Sequence, residues 1–126
     1  MTAKRTALFR SLSTGLLAGL LMAGVALAHH GWTGYNEKTE LSLTGVIEEA
    51  NYINPHGMIR LKVTSPQEKT WIAVLAPPSR MTARGLSQEM LKVGSTATVV
   101  GYQHMEKQEE MRAERITVAG KTVELR

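Results

Sequence analysis

Three histidines stand where nitrogen chemistry can gather. His29 and His30 follow an Ala-Leu-Ala tract in "GVALAHHGW", and His56 follows Asn54-Pro55. Imidazole and amine nitrogens favour copper among the divalent first-row metals, and Cu(II) prefers tetragonal sites. With the chain cleaved after Ala28, the α-amine and ring of His29 close a chelate on one ion. A second imidazole, from His30 or His56, then completes a T-shaped set of three nitrogens. A terminal amine titrates at about 7.7–8.0, so the ion must displace its proton near neutrality. Met58, Met105 or Met111 would add a soft thioether for Cu(I). The alternatives are plainer: solvated terminal histidines, a His56 bonded to backbone in a tight turn, and His104 and Met105 as ordinary loop residues.

The cleavage itself is legible. Lys4, Arg5 and Arg10 make a positive start with no acid, residues 16 to 28 are an apolar run, and Ala26 and Ala28 supply an A-x-A site. Thirteen apolar residues are short for a bilayer-spanning helix, which needs about 20. Residues 1 to 28 therefore read as a signal peptide and the product as periplasmic or secreted, with no membrane span in the mature chain. Cleavage after Ala26 instead would leave Leu-Ala-His, with a histidine in third place and a copper or nickel motif built from backbone amides.

Removing the signal also removes three basic residues and brings the formal charge from +4 close to neutral. No global charge remains to attract nucleic acid. The chain has no cysteine, so no disulfide supports it and no thiol nucleophile exists. All its acids are glutamate, no serine stands in a nucleophile elbow, and no glycine-rich phosphate loop is present. Glu48-Glu49 and Glu109-Glu110 resemble carboxylate pairs. However, neighbours on a strand face opposite sides, and the second pair lies in a charged loop. The expectation is a binding protein and not an enzyme. Its partners would be a metal ion, with copper as the cofactor, or alternatively a periplasmic protein or an oligosaccharide. Trp32, Tyr35, Tyr52, Trp71 and Tyr102 could offer stacking surfaces, although a small core claims several.

The elements that must position these residues are strands. Residues 29 to 40 read as an irregular amino-terminal arm, anchored by Trp32 and Tyr35. From Leu41, "LSLTGVIEEANYI" alternates with a two-residue period, blurring at Glu48-Glu49 where a bulge fits. "GMIRLKVT" and "TWIAVL" give two more strands. "APPSRMTARGL" predicts a short helix capped by Ser79 and ending near Gly85, with a further turn from Ser87 to Lys92. "TATVVGY", "RAERITV" and "AGKTVELR" follow as strands. This order is that of a small antiparallel OB-like β-barrel, residues 41 to 126, all-β with one short helix, with a split β-sandwich or an irregular barrel as the alternatives. Ile59, Leu61, Val63, Val99 and Ile116 are its expected core. Ligands of such barrels meet the loops "NPH" and "QHMEKQEEM".

The motifs together resemble a family of small exported bacterial proteins, the domain of unknown function 6152. "AHHGW", "LTGVIEEANYINPHGMIRLKV", "APPSRMTARGL", "LKVGSTATVVGY" and "MRAERITVAGKTVEL" carry the resemblance over essentially the whole mature chain, with "LTG" and "NPH" the most specific. The resemblance implies a periplasmic or secreted β-rich domain and no established activity. Its recurrent histidines fall on His29, His30 and His56, while His104 lies outside the pattern. Leu86 stands where relatives often have tryptophan.

Overall fold

The computed structural model describes residues 31–126, and the expected signal peptide, His29 and His30 lie outside them. Trp32–Arg126 forms one compact unit. Its elements are β1 (Tyr35–Asn51), β2 (Met58–Val63), β3 (Lys69–Val74), α1 (Pro78–Ala83), a 3-10 turn (Gln88–Leu91), β4 (Thr96–His104), β5 (Glu110–Val118) and β6 (Lys121–Glu124).

β1 is longer than the period-two pattern suggested. It begins at Tyr35, so residues 35–40 are strand and not irregular arm. The reason is pairing: Tyr35 lies opposite His104, and Glu40 opposite Tyr102, with a register irregularity between them. A strand of seventeen residues can serve two neighbours. Its first part pairs with β4 and its last part with β2. The expected bulge is present, as a register shift between Ile47 and Glu49.

The sheet order β3-β2-β1-β4-β5-β6 joins up through an added β3–β5 pairing, giving a ring of five strands. That pairing is parallel, whereas every other pair is antiparallel. Topology requires this. β1 reverses into β2 and again into β3, while β4 runs against both β1 and β5, so β3 and β5 must point the same way. The fold is OB-like, as the strand order implied.

Inside the ring, Ile59, Leu61, Val63, Val99 and Ile116 are buried as expected, together with Ile47, Met81, Leu86, Leu91 and Met111. The helix starts two residues earlier than expected. Pro77 is its N-cap and Pro78 its first residue, and Ser79 makes no cap bond. Proline at the first helical position forfeits only an N–H that had no helical partner anyway. The helix closes at Arg84, and Gly85 follows at φ +85°.

Tyr52 fixes this helix to the ring. Its hydroxyl donates to the Leu86 carbonyl at 2.7 Å and lies 2.9 Å from the Thr82 hydroxyl. Tyr52→Phe should therefore lower stability by about 1–2 kcal/mol, because a carbonyl loses its partner while the ring stays packed. Urea unfolding of the two proteins measures the difference, and equal midpoints would deny the hydroxyl its anchoring role.

On the outer surface, Thr44, Thr98, Thr117 and Thr122 stand opposite one another across β1, β4, β5 and β6. The outer two pairs, Thr44–Thr98 and Thr117–Thr122, each bring their hydroxyls to 2.8 Å.

Candidate functional site

The amino-terminal end of the described chain is pinned at Trp32. This ring is buried and meets Tyr102 edge-on, centroids 6.1 Å apart. Two guanidinium groups lie against it, Arg112 at 5.1 Å and Arg126 at 4.3 Å from its centroid. Arg126 also holds Glu37 at 2.6 Å, tying the start of β1 to residue 126. The anchoring role expected of Trp32 thus has a cation–π basis.

Tyr35 is the second anchor. Its hydroxyl donates to Glu110 Oε1 at 2.5 Å, and its ring meets His104 edge-on at 4.9 Å. Burial first, and then the Glu110 carboxylate, push the Tyr35 hydroxyl well above its ordinary pKa. It stays a donor at any physiological pH. Next to this pair lies Arg112, the one charged side chain buried among the described residues. Burial holds its pKa below the usual value, while Tyr35 and Glu110 support the charge. Guanidinium remains ionised in such settings.

His56 sits within the field of Arg112, in the bend between β1 and β2, and is half-buried. Burial first, then the charges of Arg112 and Arg80, lower its pKa. Neutral imidazole is the form that binds metal, so the site favours the ligand state. The neighbouring positive charges also work against a bare cation, and Glu110 beside Arg112 offsets part of that field.

A pH dependence follows from the lowered value. The unfolded imidazole titrates near about 6.5. The folded chain resists protonation, so acid favours the unfolded state. The stability associated with neutral His56 is complete above about pH 6.5 and is lost as pH falls from there through the lower, folded value. His56→Gln should flatten this part of the stability–pH curve. Parallel curves for the two proteins between pH 7 and about 5 would rule the effect out.

His104 is committed elsewhere. Its Nδ1 accepts the backbone N–H groups of Glu106 and Lys107, both at 3.1 Å, which shapes the turn between β4 and β5. Of the thioethers, Met111 is fully buried and its sulfur belongs to the core, which excludes it as a surface ligand. Met105 is exposed and Met58 half-buried. Leu86 is fully buried. Among the described residues no three His, Cys, Asp or Glu side chains gather as a metal site. His56 would need nitrogens from outside them. No helix among the described residues is long and apolar enough to cross a membrane.

Arg112 and the Tyr35–Glu110 pair were not singled out by the sequence. In β5, Met111, Arg112 and Ala113 are all buried in succession. The strand there pairs with β3 on one side and β4 on the other, with a register shift opposite Val100 and Gly101. Alternation is lost where the ring closes, so period two cannot assign the arginine a side.

A five-stranded OB-like ring, with Trp32 docked against Arg112 and Arg126, defines the class: a small β-domain. The chain belongs to the family of unknown function DUF6152, whose model matches residues 18–112. A comparison with curated proteins gives no match. Among solved structures, it is similar to a chain in the crystal structure of a complex of TiaS with tRNA and ATP, with 18% identity and a TM-score of 0.46. That similarity covers 72% of this chain and 19% of the other.

Proposed function

We propose that this is an exported, non-catalytic binding protein that holds one copper ion at its processed amino terminus. The ligands are the His29 amine and imidazole, with His56 or His30 supplying the third nitrogen. One observation carries the reading: Trp32 is docked on Arg112, and the Arg112 charge reaches His56. His29 lies three positions before Trp32, a reach of about 10 Å when extended. On this reading the processed terminus lies within reach of the His56 ring, whose pKa is lowered by burial and by the charges of Arg112 and Arg80.

The arginine charges near His56 bear on the choice of third ligand. Glu110 offsets part of the Arg112 charge, and Arg80 directs a guanidinium N–H to the Leu125 carbonyl at 3.1 Å. His30 provides the third nitrogen if their residual field keeps the ion from His56. The periplasm or the exterior is the proposed location, because the first 28 residues carry the signal pattern.

Intact mass and amino-terminal sequencing of the exported chain test the foundation. A terminus at His29 permits the chelate. A retained signal, or a terminus downstream of His30, would end the proposal. Copper titration of the same material then tests binding directly.

A further inference from the structure

A concavity lies at the turn between β4 and β5, where His104 meets Tyr35. It is an open hollow of about 290 Å³, lined by Asn36, Gln103, His104, Met105 and Gln108. We propose that this hollow binds a neutral saccharide ring. The site uses none of the histidines assigned to copper and goes beyond that reading.

The lining sets the ligand class. It contains no acid, lysine or arginine. The nearest lysine in sequence, Lys107, has its ammonium group 3.5 Å from Glu110. An ionic ligand would therefore enter without a counter-charge, an unfavourable exchange for its hydration. Three primary amides instead present donors and acceptors in pairs. That pattern matches neighbouring hydroxyls, each of which is both donor and acceptor.

Two of the amides are oriented by backbone partners. Asn36 Oδ1 accepts the Lys38 N–H at 3.2 Å, so its two Nδ2 hydrogens remain to donate. Gln103 Nε2 donates to the Gln108 carbonyl at 2.9 Å, leaving Oε1 to accept.

The remaining walls suit the apolar face of a sugar. The His104 ring is held by its two backbone bonds and by edge contact with Tyr35. It is fixed before any ligand arrives, which reduces the ordering that binding requires. Met105 is 67% exposed, and its polarisable thioether can lie against ring C–H groups. Sites for drug-sized ligands run from about 300 to 1,000 Å³. This hollow stands at the lower end and suits one ring.

Side-chain amide resonances of the isotope-labelled whole protein provide the test, with glucose and N-acetylglucosamine as neutral probes and acetate as the charged control. Saturable shifts of the Asn36, Gln103 and Gln108 amides are expected with at least one sugar and not with acetate. Gln108→Ala and Asn36→Asp should each weaken binding at least fivefold. Both positions are exposed, and the carboxylate introduced by Asn36→Asp still accepts the Lys38 N–H, so the fold is retained. No saturable shift with either sugar up to its solubility limit would overturn the site. Binding unchanged in both variants would overturn it too.

Discussion

Adding one residue ahead of His29 in the processed chain is expected to lower Cu(II) affinity on the order of a hundredfold. The argument is geometric. The α-amine and imidazole of a terminal histidine belong to one residue, so binding the first holds the second at high effective concentration. Such tethering contributes roughly 10²–10⁴ in affinity. An extension moves the amine away while every imidazole stays. Calorimetry should give one ion per chain for the processed form. His56→Ala should weaken binding if the bend histidine is the third ligand, and His30→Ala if the neighbour is. His104→Ala should leave affinity unchanged, because its Nδ1 already takes two backbone N–H groups. Acid should release the ion as protons compete for amine and imidazole. Equal affinity with and without the extension would show that the amine is no ligand, and the chelate would be abandoned.

Gly101→Ala should be strongly destabilising. Gly101 lies in β4 at the register shift, opposite Ala113. A β-carbon there would overlap the Arg112 carbonyl oxygen and meet the Arg112 carbonyl carbon at 2.9 Å and the Ala113 α-carbon at 3.0 Å. All three are backbone atoms, so no side chain can swing aside. β4 and β5 would have to separate where the ring closes and Arg112 is held. A loss of about 3 kcal/mol or more is expected, which for a domain of this size lowers Tm by roughly 12 °C or more. Thermal unfolding of the variant measures it. A loss below about 1 kcal/mol would mean the two strands part there at little cost.

Where local chemistry decides the structure, the sequence was readable. Leu41, Leu43 and Ile47 face inward in β1 because a strand with one buried face must alternate. The two prolines after Ala76 end β3 and start the helix for steric reasons that need no tertiary partner. The five core residues chosen from period and order are all buried. Legibility fails where partners come from far along the chain. Tyr35 is strand because His104 lies opposite it, and Arg112 is buried because β3 and β4 flank it. The amide hollow draws Asn36 and Gln103 together from β1 and β4. None of these juxtapositions leaves a mark in a short window of residues. The amino-terminal histidines, prominent in the sequence, lie outside the described residues.

The threonine row sets a timetable for the chain. Its rung between Thr117 and Thr122 joins residues five apart, within one hairpin. Its rung between Thr44 and Thr98 joins residues 54 apart. The entropy of closing a loop rises with its length, so the hairpin rung is accessible long before the other. β4 must reach β1 past β2, β3 and the helix, which makes that seam the late event in assembly. Until it closes, the edges of β1 and β4 expose backbone N–H and C=O groups that another strand can take. The interval between those two rungs is when this protein is most open to pairing with the wrong chain.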